Sequence, residues 1–274
     1  MGNERRYHFL ITGRHVKGNV MDKKTPDRGI LSPVSHVAIS LLAIFFSASI
    51  MAQPDFSGLW FPAGFDPDAP ALEPGHREFP YTEQAAKMAE QYLQDFDVSD
   101  EPGGFCIKPG LPRSIWGAPF PVEIVQTDGF INLLWEGYYQ YRKIYLEGHP
   151  RPEPILPTRM GYSVGHFEGD TLVIETSYLR EYPYMRRVPN TEDATIVERW
   201  NLVPVTNDAG ETVNYLTNEM ELTDPRLFTE PVRIVGTLRY SPDTPILEYS
   251  CSEEIYENHL EAKGIAPPDF SRLD

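Results

Sequence analysis

The sequence predicts an all-β protein, an antiparallel meander of about 8–10 strands that closes into a barrel or a strongly curled sheet. From Pro121 to Ser252, apolar and polar residues alternate with a period of two, which is typical of half-buried strands. Turn sequences rich in Gly, Asp and Asn separate these runs and predict antiparallel hairpins. One helix is expected before the strands begin.

The first elements of the domain are a strand and this helix. Asp55–Phe61 is a short apolar run that predicts a strand, and a loop rich in Pro, Gly and Asp follows it. Thr82 is the predicted N-cap of a helix that ends near Phe96, because apolar residues recur there on one helical face. Four prolines between Cys106 and Pro121 deny that segment regular structure.

The remaining strands follow one another through short turns. The turns are expected at Thr127–Gly129, Glu168–Asp170, Asn207–Gly210 and Ser241–Asp243. With the first strand, ten strands are predicted, at residues 55–61, 121–126, 130–136, 139–146, 158–167, 171–177, 194–205, 212–223, 231–240 and 246–252.

A single open sheet of this size would expose two long edges, so closure is the physical expectation. Gly58 and Trp60 on the first strand match the short opening pattern of lipocalins, in which a Trp closes the floor of the barrel. We therefore predict a calycin- or lipocalin-like barrel. A β-sandwich is the alternative fold.

The N-terminal region has the pattern of a secretory signal peptide. Val37–Ile50 is an apolar run of 14 residues, shorter than the ~20 residues that a membrane span needs. Basic residues precede it, and small residues lead to Ala52. We predict a signal peptide at 1–52, with a true start at Met21 as an alternative, and one β-rich domain at 53–274 in the periplasm or outside the cell. No stable membrane span is expected after cleavage.

Charge and residue spacing exclude several function classes. The chain has 24 basic and 40 acidic residues, and residues 53–274 retain 17 and 37 of them, a net charge of −20. An acidic surface of this kind repels nucleic acid. No Cys-x-x-Cys or His-x-x-x-His spacing occurs, so we predict no metal site and no cofactor. The oligomeric state is left open.

Cysteine usage fits an oxidising compartment. Cys106 and Cys251 are the two cysteines of the chain, and an even pair in a secreted protein predicts a disulfide. Two buried free thiols are the alternative.

Alternation along the strands also predicts which polar side chains point inward. Arg142 and Glu198 each lie among apolar residues on one strand face, and Tyr162 and His166 share a face of the 158–167 strand. A charge on a buried face must be paired or hydrogen-bonded. We therefore expect these four side chains to converge inside the barrel, with Arg142 paired to Glu198.

This cluster has two interpretations. In the catalytic one, His166 is a general acid/base, Arg142 orients an anionic or carbonyl group, and Tyr162 and Glu198 support them. In the structural one, the cluster is an internal salt bridge that fixes strand register. The side chains predicted to contact a ligand are the aromatic residues Trp60, Tyr141 and Trp200.

Gly161–Gly165 formally matches the Gly-x-Ser-x-Gly pattern of serine hydrolases, with Ser163 at its centre. That motif requires a sharp turn between a strand and a helix. Ser163 is instead predicted within an antiparallel strand, so its interpretation as the nucleophile of this motif is rejected.

Several segments together resemble an uncharacterised family of secreted bacterial proteins. The most specific is the block GYSVGHFEGDTLV, and this chain departs from the family pattern at Phe167, where Trp is usual, and at Ser252, where His is usual. The resemblance implies secretion and a shared fold. The matching segments are 57–60, 106–113, 122–126, 142–150, 161–176, 198–200, 224–225 and 248–253.

Three functions remain open at this stage. The first is a barrel that binds a small apolar or amphipathic molecule, which the abundance of aromatic residues favours. The second is a periplasmic isomerase, lyase or hydrolase that uses the polar cluster. The third is a structural envelope protein with a filled core. A filled interior favours the third, a dry cavity the first, and a wet cavity with convergent polar groups the second.

The mature protein is predicted to begin at Gln53, because Ala52 ends the run of small residues. Intact-mass measurement and N-terminal sequencing of the exported protein check this. Recovery of Val37–Ile50 in the protein from membrane fractions would contradict it.

Overall fold

The computed structural model describes residues 53–115, 119–148, 153, 155–262 and 264, and the predicted signal peptide lies outside these residues. Nine strands form one closed barrel, in which each strand pairs with its neighbours in sequence and the first pairs with the last. The prediction of an all-β barrel is confirmed. The strands are β1 (Gly58–Pro62), β2 (Val122–Gln126), β3 (Phe130–Trp135), β4 (Gln140–Leu146), β5 (Tyr162–Glu168), β6 (Thr171–Ser177), β7 (Thr195–Thr206), β8 (Thr212–Thr223) and β9 (Val232–Tyr240).

The meander is broken at one place. β4 and β5 pair in parallel, with Ile144 opposite Ser163, whereas all other pairs are antiparallel. Parallel neighbours require a connection that returns to the starting end of the sheet. The segment between the two strands, residues 147–161, is long enough for such a return, and its sequence has no tight-turn signal. The barrel is therefore mixed, and the expected all-antiparallel lipocalin pattern is wrong here.

A helix α1 (Glu83–Asp95) precedes the second strand. The Thr82 hydroxyl accepts a hydrogen bond of 3.2 Å from the Ala85 amide and caps the first turn. Ala85 and Ala89 are its buried residues. The apolar face of α1 is therefore covered only in part.

The predicted tenth strand does not form. β9 is already paired with β1, so no free sheet edge remains for another strand. The chain instead runs in an extended path past the β3–β4 connection, where the Leu247 amide donates to the Glu136 carboxylate at 2.7 Å. A second helix, α2 (Cys251–Ala262), then follows. The expectation of a single helix is wrong for this reason.

The two ends of the barrel differ in their connections. One end, called here the turn end, carries the short links 127–129, 169–170 and 207–211. The opposite end, called the loop end, carries the long segments 63–115, 178–194 and 224–231, together with α1. Binding residues are often carried by long connecting segments, so the loop end is the expected place for a site.

Buried side chains close both ends. At the turn end, Phe56 is fully buried, and its carbonyl accepts a hydrogen bond of 2.9 Å from the Trp60 indole. At the loop end, Leu111 and Ile115 are buried in the same hydrophobic core as the strands. None of the described helices is long and apolar enough to cross a membrane.

Cys106 and Cys251 form a disulfide with their Cα atoms 5.8 Å apart, as predicted. The bond joins the first turn of α2 to the segment that closes the loop end. It therefore attaches the chain that follows β9 to the body of the barrel.

Replacing both cysteines with Ser should destabilise the protein by up to about 5 kcal/mol, because the bond closes a long loop in the unfolded chain. Denaturant unfolding of wild type and the double variant measures this. Two titratable thiols in the unreduced, denatured wild type would contradict the bond itself.

Candidate functional site

The strongest polar feature inside the barrel is an ion pair between β4 and β7. Arg142 is 2% exposed and Glu198 is 0% exposed. Arg142 Nη1 donates to Glu198 Oε2 at 3.2 Å, and Nη2 donates to Oε1. The predicted pairing of these two residues is confirmed, and its fork geometry is the strong form of this interaction.

The strands beside this pair supply the remaining hydrogen bonds. Arg142 Nε donates to Ser163 at 3.0 Å, and Nη2 donates to Thr176 at 2.9 Å. Glu198 Oε2 also accepts from the Trp200 indole at 3.1 Å and from Asn218 Nδ2 at 2.9 Å. The two charges are thus compensated by each other and by four neutral groups.

The interior around the pair is filled. The inward side chains of the surrounding strands have no surface that a water molecule could touch, so no water-sized void lies beside them. These side chains are Ile131, Ile144, Leu172, Ile174, Ile196, Asn218 and Met220. Within the described residues, the Asn218 Oδ1 atom has no hydrogen-bond partner. A substrate therefore cannot reach Arg142 or Glu198 in this conformation.

Tyr162 and His166 do not join the pair, and the expected convergence is wrong for these two residues. Ser163 and Gly165 are the buried residues of β5, so its other face points outward. A Cβ atom on Gly165 would lie 3.0 Å from Ile144, so the glycine permits close packing inside. The large apolar residues of β5 predicted the wrong face as the inner one, because the residues that do point inward are small.

The outward residues of β5 make surface contacts. Tyr162 stacks on Tyr145 with ring centroids 5.3 Å apart. His166 Nε2 lies 3.3 Å from Glu168, which also accepts from Arg199 at 2.9 Å. These hydrogen bonds, that of Arg199 first, lower the pKa of the Glu168 carboxyl below its usual value.

The three aromatic residues predicted to contact a ligand do not meet at one place. Trp60 and Trp200 are buried in the core. Tyr141 is 55% exposed on the outer wall, where its hydroxyl donates to Asn132 at 2.6 Å. No shared pocket therefore connects them in the described part of the chain.

A groove of about 610 Å³ lies at the loop end, between α1, the 181–191 segment and the 225–227 segment. We call it the loop-end groove. Its apolar lining includes Ala85, Met88, Met185 and Leu227. The charged residues that line it are Glu83, Glu181 and Arg226.

A buried carboxylate organises one wall of this groove. Asp224 is 1% exposed, and it accepts from the Thr191 amide at 2.6 Å and hydroxyl at 3.1 Å. The same carboxylate accepts from the Arg226 amide at 3.2 Å. Asp224 thus ties the 191 and 226 segments together. The sequence signal was the Asp224–Pro225 dipeptide, typical of a turn, but it indicated no role.

A polar cluster around Tyr182 holds the 181–191 segment of the groove. Arg113 Nη1 donates to the Tyr182 hydroxyl at 3.2 Å and also pairs with Glu101. The Arg159 guanidinium lies 5.1 Å from the centre of the Tyr182 ring. Burial raises the pKa of the Tyr182 hydroxyl, so the oxygen that accepts from Arg113 belongs to a neutral phenol at neutral pH.

Aromatic residues fix the start of α1 against the β8–β9 connection. Tyr81 stacks on Phe228 with centroids 5.4 Å apart, and the Thr82 amide donates to the Leu227 carbonyl at 2.8 Å. The Tyr81 hydroxyl is buried and has no hydrogen-bond partner within the described residues. Burial raises its pKa to about 12.

Comparison with protein-family models, curated proteins and solved structures finds no match to this chain. The fold and the site nevertheless define a class: a disulfide-bonded, mixed β-barrel with a filled interior and an open groove at one end. Inferences about its activity therefore rest on this geometry.

Arg142→Met should destabilise the protein by about 3–5 kcal/mol, because it leaves Glu198 charged and buried. Arg142→Met with Glu198→Leu should recover only part of this loss, since Trp200 and Asn218 then lose their acceptor. Urea unfolding followed by Trp fluorescence measures both variants.

The exposed Arg199–Glu168 pair is the matched control. Arg199→Met should change the free energy of unfolding by no more than about 1 kcal/mol. Strictly additive losses in the Arg142/Glu198 double variant would contradict a coupled pair.

Tyr81→Phe should leave stability at neutral pH unchanged or raised, because it removes a buried hydroxyl that has no partner. The raised pKa favours the protonated folded state, so stability is present below pH 10 and is lost as the pH rises toward 12. Tyr81→Phe should lessen this alkaline loss, as measured by urea unfolding between pH 8 and 11. Burial also raises the pKa of the half-exposed Tyr141 hydroxyl, but by less, so Tyr141→Phe should lessen the alkaline loss by less. Equal effects of both variants would contradict the assignment.

Proposed function

We propose that the protein is a secreted or periplasmic, non-enzymatic binding protein that holds a small apolar or amphipathic molecule in the loop-end groove. The observation that carries the proposal is the groove itself, which has the volume of a typical ligand site and mostly apolar walls. The barrel interior, where such ligands bind in lipocalins, is filled with side chains.

The chemistry of the groove fits an amphipathic ligand. Met88 on α1 is 54% exposed and offers apolar surface to the body of the ligand. Arg226 lies 3.7 Å from Asp193, and both side chains remain largely exposed, so the guanidinium is accessible to a polar end group. The carboxylates of Glu83 and Glu181 favour a ligand whose other polar groups are hydrogen-bond donors, such as hydroxyl or amine groups, and disfavour further negative charge on it.

The disulfide and the predicted signal peptide support a location outside the cytoplasm, since such bonds persist in oxidising compartments. The resemblance of the GYSVGHFEGDTLV block to secreted proteins supports the same location. Ser163 of this block is buried in β5, where its hydroxyl accepts from Arg142 Nε and shares a hydrogen bond with the Thr176 hydroxyl. These contacts give Ser163 a structural role.

A structural envelope protein is the second candidate, and the filled barrel interior favours it. The enzymatic alternative loses its geometric basis, because His166 and Tyr162 lie outside the barrel and Arg142 and Glu198 lie sealed within it. A catalytic site requires its groups within reach of one reacting atom.

The test uses N-phenyl-1-naphthylamine, an uncharged apolar fluorophore, as the probe. Met88→Asp should weaken its binding by about tenfold, because it places a charge on the apolar wall. Leu93→Asp is the matched control, since Leu93 is 52% exposed on the same helix and does not line the groove. Fluorescence titration measures both.

Equal binding in Met88→Asp and wild type would contradict the loop-end groove as the site. Absence of saturable binding, together with no small molecule in native mass spectra of protein purified from its own periplasm, would favour the structural role instead.

A further inference from the structure

A second cleft of about 490 Å³ gathers basic residues in an otherwise acidic protein. It lies between the 74–79 segment, the 186–188 segment and the start of β9. Four of the 13 arginines in residues 53–274 line it, together with one histidine. We call it the arginine cleft, and its basic residues are His76, Arg77, Arg186, Arg187 and Arg233.

The backbone of the cleft is fixed by contacts of the 73–77 segment with β9. The His76 amide donates to the Arg233 carbonyl, and the Arg233 amide donates to His76 Nδ1, both at 2.8 Å. A Cβ atom on Gly75 would lie 2.7 Å from the Arg233 carbonyl oxygen, so only glycine permits this approach. The cleft is therefore formed before any ligand arrives.

Carboxylates lie beside three of the five basic side chains of the cleft. Arg233 pairs with Glu219 at 2.6 Å, and Arg187 lies 3.2 Å from Glu101, which Arg113 also engages. His76 Nε2 is 4.0 Å from Glu230.

Two of the guanidinium groups remain uncompensated. Arg186 donates to the carbonyl of Phe96, a neutral acceptor. In the described part of the chain, no hydrogen bond or ion pair holds the exposed Arg77 side chain. Positive charge without a carboxylate partner is therefore available on two sides of the cleft.

We propose that the arginine cleft is a binding site for a small anion that carries phosphate or carboxylate groups. The planar guanidinium fork matches both groups and binds them through two parallel hydrogen bonds. The net charge of −20 carried by residues 53–274 repels extended polyanions and anionic membranes, so the ligand must be small enough to lie within the cleft. This site is separate from the loop-end groove and does not depend on it.

Isothermal titration calorimetry with pyrophosphate and, separately, with citrate tests the proposal and distinguishes the two chemistries. Saturable binding of at least one anion with 1:1 stoichiometry is expected, and it should weaken as the salt concentration rises. Arg77→Gln and Arg186→Gln should each weaken it by about tenfold. Thermal unfolding verifies that both variants fold.

Arg180→Gln is the matched control, because Arg180 is exposed on the same 178–194 segment but does not line the cleft. It should leave the affinity unchanged. Equal weakening in Arg180→Gln, or no saturable binding of either anion by the wild type, would overturn the proposal. Binding of N-phenyl-1-naphthylamine should be the same in all these variants, which separates this test from that of the groove.

Discussion

Five consecutive strands contribute to the hydrogen bonds of the Arg142–Glu198 pair. Arg142 belongs to β4, Ser163 to β5, Thr176 to β6 and Glu198 to β7, and Asn218 of β8 completes the set. A shift of one residue in any of these strands would turn its polar side chain to the other face. The pair would then lose a partner in a dry interior, where an uncompensated charge is very costly. One ion pair thus fixes the register of more than half of the barrel.

The filled interior limits where the protein can bind other molecules. Side chains fill the barrel, so its interior stabilises the fold but leaves no space for a ligand. The long segments at the loop end form two clefts of opposite character instead. One is largely apolar and organised by Asp224, and the other is basic and organised by the contact of His76 with Arg233. The fold therefore separates a filled barrel from the surface clefts at its loop end.

The strands and most of their turns could be predicted because they follow from local rules. Alternation, tight-turn sequences and the cap at Thr82 are visible within ten residues. The disulfide could be predicted for another reason, because the chain has only two cysteines to pair. The parallel β4–β5 pair and the outward face of β5 depend on the whole barrel. Ile144 of β4 leaves little room for a side chain at position 165, so Gly165 occupies the inner face of β5. The two clefts are built from contacts between segments that are far apart in sequence. No local pattern indicated them.

The pairing of β1 with β9 has a consequence for how the chain reaches this structure. Trp60 lies opposite Tyr240, so the barrel closes only when the two most distant strands meet. Contacts of such long sequence separation slow folding, since the chain must lose much entropy before they form. Until then, both outer strands expose unpaired amide and carbonyl groups, to which another chain can add. A newly synthesised molecule therefore passes through an open sheet that is prone to aggregation, and we expect its yield to depend on chaperones that shield those edges.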